Sequence, residues 1–184
     1  MDAGLIARRY ATVLHDFAAD RGKLDDVYAD AALVRQALAE QPAAQRFFDS
    51  PLHKPSEKRE LVKATFEANV SAEMLQFLTF LVDKERIGYV NSILLVFEML
   101  YKRERDICTA TVVTARELTP EQQGRFVSLV SGKVEKTGRK VSSVDATFKV
   151  DPRIIGGVVL TIDGMQLDGS VSSKLSELER QLTA

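Results

Sequence analysis

The sequence predicts an α+β fold, with an N-terminal six-helix bundle followed by a small two-layer α/β domain with a mixed sheet. Apolar residues recur near 3.6-residue spacing through the first part of the chain. After residue 106 they give way to Thr/Val-rich alternating runs, and glycine-containing turns separate those runs. The change falls at Tyr101 to Asp106 and sets two domains, 1–105 and 106–184. With 184 residues and 45% hydrophobic content, the chain can bury one substantial core or two small ones, which excludes a disordered chain.

Ile6, Tyr10, Val13, Leu14 and Phe17 mark the apolar face of the first helix, which Gly22 ends. Leu24, Val27, Tyr28, Ala31, Val34 and Leu38 mark the second. Pro42 and Pro51 bracket a short third helix carrying Phe47 and Phe48, and Ser56 with Glu57, Lys58 and Glu60 starts a fourth around Leu61, Val62 and Phe66. Ser71 caps a fifth, with Met74, Leu75, Phe77, Leu78, Leu81 and Val82. Val90, Ile93, Leu94, Phe97 and Leu100 define the sixth. Helices with such faces bury them against one another as a bundle.

Ile107 to Ala115 reads as a strand, and Thr119-Pro120-Glu121-Gln122 opens a capped helix with proline in its first turn. Phe126, Leu129, Val130 and Val134 give that helix a face for a sheet. Gly138 permits a turn, Val141 to Val150 alternates as a second strand, and Val158 to Ile162 reads as a third. Between them, Asp151-Pro152-Arg153-Ile154-Ile155-Gly156-Gly157 combines a fixed φ with two residues that admit close backbone approach. Asp163-Gly164 turns the chain. Asp168-Gly169-Ser170 turns it again and caps a final helix from about Ser170, patterned on Leu175, Leu178 and Leu182. The strands are too few for a doubly wound nucleotide fold.

Chemistry-bearing residues do not converge in this layout. His15 and His53 are the only histidines and Cys108 the only cysteine, so neither a zinc ligand set nor an intramolecular disulfide is available, and no calcium-loop pattern is present. Catalytic, cofactor and metal sites are therefore all expected to be none. Asp163 and Asp168 read as turn caps in preference to an acid pair, and Ser170 has no local histidine or lysine to activate it. The glycine pair lacks the spacing of a phosphate loop. Charged residues make up 28% of the chain with a net charge of -1, which supplies no global attraction for nucleic acid. The mixed run Lys102-Arg103-Glu104-Arg105-Asp106 is a solvated boundary. The first residues carry charge and helical periodicity instead of an apolar signal segment. No stretch approaches the roughly 20 apolar residues of a membrane span, so direct membrane insertion is not expected.

The ordered combination of Asp151-Pro152-Arg153-Ile154-Ile155-Gly156-Gly157 with Asp163-Gly164 and Asp168-Gly169-Ser170-Val171 resembles the end of the delta subunit of F-type ATP synthases, the oligomycin-sensitivity-conferring protein of mitochondria. Thr111 to Thr119 and Thr137-Gly138-Arg139-Lys140 extend the likeness upstream. Ala7-Arg8-Arg9-Tyr10-Ala11 with Leu14, and Phe77-Leu78 with Leu81 and Arg86-Ile87, are similar to the family's first and fifth helices. The resemblance implies a non-catalytic stator that links the alpha/beta catalytic head to the b-subunit peripheral stalk. The bundle would grip alpha-subunit N-terminal segments through Tyr10, Ala11, Leu14, Leu75, Leu78 and Val82. The C-terminal module, organised by Gly156, Gly157, Asp168, Gly169 and Ser170, would meet the b or b' subunits. It also implies a peripheral location at the cytoplasmic face of a bacterial inner or plasma membrane, or a processed organellar chain. The pattern departs from the family at Ser172 and Ser173, where a basic residue is usual. The competing reading is a nucleotide-binding or nucleic-acid-binding adaptor.

Overall fold

The computed structural model describes residues 3–136, 138, 140–171 and 173. The chain divides into two compact units, Met1–Tyr101 and Lys102–Ala184. The first contains α1 (Ala3–Asp20), α2 (Leu24–Glu40), α3 (Pro42–Asp49), α4 (Pro55–Phe66), α5 (Ala72–Asp83), a 3₁₀ turn (Ile87–Tyr89) and α6 (Val90–Glu104), whose last residues pass into the second unit.

Local chemistry sets the helix ends. Gly22, at φ 64°, lets its own amide reach Ala19 O and the Lys23 amide reach Ala18 O, both at 2.9 Å, which closes α1. The fourth helix starts one residue before Ser56. Pro55, with no N–H to satisfy, takes the first helical position, and Glu57 accepts the Lys54 amide at 3.2 Å. At α5 the cap is tertiary as well as local. Ser71 Oγ accepts the Met74 amide at 3.3 Å, while Asp30 of α2 accepts both the Ser71 amide at 2.9 Å and its hydroxyl at 2.5 Å. Leu14, Val27, Val62, Met74, Leu81, Ile93 and Phe97 are fully enclosed at the centre of the bundle. An Arg35–Glu98 ion pair at 2.5 Å and a Tyr28–Tyr101 stack at 3.9 Å join α2 to α6.

The second unit runs β1 (Ile107–Thr114), α7 (Pro120–Glu135), β2 (Ser143–Val150), a 3₁₀ turn (Pro152–Ile154), β3 (Val158–Ile162) and β4 (Met165–Asp168). The sheet order is β2-β1-β3-β4. β1 and β2 are parallel and the other pairs antiparallel, so the sheet is mixed. A parallel pair needs a crossover, which α7 provides. Thr119 and Gln122 form a reciprocal cap at the start of α7, where Pro120 occupies the first turn. Alternation along β1 buries Cys108, Ala110, Val112 and Thr114, and the core gathers Cys108 and Ala110 with Val130 and Val134 of α7 and Ile162 of β3. β4 exceeds the sequence expectation. All four of its residues are exposed, so no buried alternation marks it between its two Asp-Gly turns. Gly138 has φ 83° and donates to Glu135 O, as a turn requires; Thr137 and Arg139 lie outside the described residues. Val171 and Ser173 are helical, while Ser172, Lys174, Leu175, Leu178 and Leu182 also lie outside the described residues.

Gly157 is the tightest point of this unit. Its φ is 79°, and a Cβ there would stand 2.3 Å from Gly169 O and 3.1 Å from Ser170 Cα, so backbone would have to move. Gly157→Val is expected to destabilise the second unit by several kcal/mol through clash and positive-φ strain together, and to leave the bundle folded. Domain-resolved hydrogen exchange checks this; unchanged protection across 107–171 would contradict it.

Candidate functional site

Two regions carry the sequence-predicted residues. In the first unit, α1 and α5 lie side by side and antiparallel. The Tyr10 and Phe80 rings are 6.0 Å apart, whereas Arg21, just past the end of α1, reaches Gln76 at 3.5 Å and Glu73 at 3.8 Å. Buried Ala7, Ala11, Leu14 and Ala18 repeat every three or four residues on the face of α1 that enters the core, and three of these four side chains are single methyls.

Of the six residues assigned to partner binding, four are enclosed. Ala11 and Leu14 are 0% exposed and Leu78 and Val82 1%, all within the bundle core, while Tyr10 and Leu75 are half-buried at its edge. An aspartate at Ala11 would therefore bury a charge in the bundle and report on folding, not on a surface contact. The accessible part of this face is a shallow depression of about 460 Å³ along α5, lined by Ala72, Leu75, Gln76, Thr79, Phe80 and Asp83. Thr79 donates its hydroxyl to Leu75 O at 2.9 Å, so the helix backbone satisfies its polar atom. Exposed Val13 and half-buried Phe17 lie on the neighbouring helix, with Arg21 stacked 4.1 Å over the Phe17 ring. Phe80 and Thr79 line this depression but were not among the residues singled out from the sequence. Along α5 one apolar set falls at 74, 77, 78, 81 and 82 and a second at 72, 75 and 80, more than one core needs.

In the second unit the glycine motif is an interlock of turns. Asp151 caps the 3₁₀ turn by accepting the Arg153 amide at 3.0 Å and pairs with the Arg153 guanidinium, Nε–Oδ1 2.9 Å and Nη2–Oδ2 2.7 Å. Ile155 follows at φ 65° and ψ -44°, with the Gly156 amide donating to Ile154 O at 2.7 Å. This is a γ-turn in its strained, positive-φ form, and it leaves an isoleucine 64% exposed. Val171 N then donates to Gly156 O and Gly169 N to Val158 O, each at 2.9 Å. Asp168 accepts the Ser170 amide at 2.8 Å and the Ser173 hydroxyl at 2.6 Å, and Ser170 Oγ accepts the Ser173 amide. Ser173 thus spends its polar groups on the cap. The amides of Gly156, Gly169, Ser170 and Val171 all donate internally, so they do not form the open cradle a phosphate needs.

The remaining candidates serve packing. Asp163 accepts the Thr109 amide at 3.0 Å in the turn before β4, while Asp168 ends that strand, so the two carboxylates have separate partners. His53 stacks on Phe47 at 3.9 Å, and His15 lies beside Asp16 and Phe97. Cys108 is buried, with Asp163 Oδ2 at 3.6 Å. Among the described residues, no group of three or more His, Cys, Asp and Glu side chains could hold a metal ion.

The sequence profile of the ATP synthase delta (OSCP) subunit matches residues 6–182. The chain belongs to that family. It is 34% identical over 179 residues to the ATP synthase subunit delta of Desulforamulus reducens, covering 97% of this chain and 96% of that one. The subunit delta of Chlorobium luteolum is 33% identical over 183 residues, covering 100% and 98%. A chain of the mitochondrial ATP synthase hexamer of Toxoplasma gondii shares the fold, with a TM-score of 0.74, 23% identity and 97% coverage of both chains. No helix among the described residues of this delta-family chain is long and apolar enough to cross a membrane.

Bonds from Arg153, first to the Asp151 side chain and then through the Arg153 amide, hold the Asp151 carboxyl down from 3.8 to about 2. Its folded-state value is depressed, so its stabilisation of the turn is complete above pH 3.8 and lost as pH falls through about 2. Arg153→Ala is expected to move the Asp151 midpoint upward in a carboxyl-carbon NMR titration; an unmoved midpoint would show that the pair does not set it.

Proposed function

We propose that this delta-family chain is a non-catalytic stator subunit that holds the catalytic head of an ATP synthase to its peripheral stalk against rotational torque. The first unit binds N-terminal helices of alpha subunits, and the second binds the b subunits. The chain itself sits peripherally, at the cytoplasmic face of the energy-coupling membrane. The observation that carries this reading is the second apolar face of α5. One face closes the bundle, and the other presents Leu75, Thr79 and Phe80 to solvent beside Tyr10. A shallow, mainly apolar trough along α5 suits the apolar side of an amphipathic helix. The enclosed residues Ala11, Leu14, Leu78 and Val82 belong to the bundle core that holds α1 and α5 in place. Such a subunit needs two durable interfaces, not a reactive pocket.

Each large apolar anchor that a partner covers contributes about 1.5 to 3 kcal/mol by transfer, before association costs. Phe80, 36% exposed, can be changed with less damage to the core than Ala11. Phe80→Asp is expected to weaken binding of an alpha-subunit N-terminal peptide by about ten-fold or more, while circular dichroism shows the bundle intact. Equal affinity in the folded variant would remove the groove from the interface.

A chain ending before Ile107 is expected to keep its helical signal and its alpha-peptide affinity and to lose binding to isolated b-subunit fragments. Isolated fragments avoid the avidity of the whole complex. Equal b-fragment binding by the full and shortened chains would overturn the division of labour.

A further inference from the structure

Away from the α1/α5 face, the first unit contains a cavity of about 590 Å³ between the α3–α4 connection and the segment joining α5 to α6. Its size lies in the range of ligand pockets. One wall is fixed by close packing. Gln45 donates to Gly88 O at 3.0 Å and to Asp49 Oδ1 at 2.9 Å, and a Cβ on Gly88 would come within 2.9 Å of that same carboxylate oxygen. The opposite wall is held by Lys58, whose Nζ donates to Phe48 O and Ser50 O, both at 2.7 Å. Those acceptors are neutral carbonyls of the end of α3, so Lys58 keeps its full charge and a third N–H.

Lys54 and Arg86 also line the cavity. Arg86 donates to the neutral Glu85 carbonyl at 3.1 Å, and among the described residues none of Lys54, Lys58 and Arg86 has a carboxylate within ion-pair distance. Asp49 and Glu85 face the same space, and the Asp49 carboxylate is engaged by Gln45. The lining therefore carries three cationic side chains against two carboxylates, together with the nearly enclosed Val82 and Ile87. At its mouth Leu52 is 88% exposed, the most exposed large hydrophobic side chain described in the protein.

We propose that this cavity is a second docking site, which takes an acidic peptide segment carrying an aliphatic residue. The carboxylates meet Lys54, Lys58 and Arg86, in a partly enclosed setting where charge pairs are stronger than in bulk water, and the aliphatic group covers Leu52. A bare inorganic anion would leave the apolar part of the site unused. The site is separate from the α5 trough, so it stands or falls independently of the alpha-subunit reading.

The test uses the full-length chain and a fluorescent five-residue peptide of alternating leucine and glutamate, with the same peptide carrying glutamine for glutamate as its neutral partner. Fluorescence anisotropy is expected to show saturable binding of the acidic peptide, weakened by salt. Affinity should fall by about ten-fold or more for the neutral peptide, and likewise for the acidic peptide with the K54Q/R86Q double variant. Phe80→Asp should leave this binding unchanged. Lys58 is left intact in these variants because it also holds the end of α3. Absence of binding, equal binding of the two peptides, or full affinity in the folded double variant would each overturn the proposal. Displacement of the peptide by equimolar inorganic phosphate would also overturn it, by assigning the cavity to a small anion.

Discussion

The first unit depends on how closely α1 can approach the rest of the bundle, and that distance is set by side-chain size. Ala7, Ala11 and Ala18 place single methyl groups where larger residues would hold the helix away, while Leu14 fills the space between them. Close packing makes the arrangement unforgiving, because interiors have little free volume to absorb an added group. On the outside, the Tyr10 and Phe80 rings approach each other across the seam between α1 and α5.

The second unit solves a related problem with backbone instead of methyl groups. Gly157 sits against Gly169 and Ser170, so the turn before β3 and the turn after β4 brace each other. Around that contact Asp151 and Asp168 satisfy nearby amides, and the strained Ile155 is held between two hydrogen-bonded turns. Strain of this kind persists only where the surroundings over-determine the backbone.

Much of this was legible in the sequence because local chemistry and tertiary structure agree. Thr119 with Gln122, Pro120, Ser71 and Gly22 each occupy the helix end that their residue type favours. The features that escaped are those where local preference is silent or overridden. β4 is exposed on both faces and has no periodic signature. Ile155 adopts a backbone region that β-branched residues avoid, so no propensity points to it. Along α1 and α5, apolar spacing marked residues on both helices. It could not sort Ala11, Leu14, Leu78 and Val82 from Leu75 and Phe80, because α5 is apolar on both sides and hydrophobicity does not say which side the core claims. The cavity beside Lys58 joins segments more than twenty residues apart, and no pattern along the chain brings them together.

Cys108 lies fully buried in β1 with its sulfur near Asp163. Burial keeps that sulfur out of reach of reagents in solvent. Modification of this cysteine consequently requires β1 to part from the strands and helix around it. As the only thiol in the chain, it makes the opening kinetics of the second unit accessible to alkylating reagents without any engineered label, at a residue outside the helical bundle.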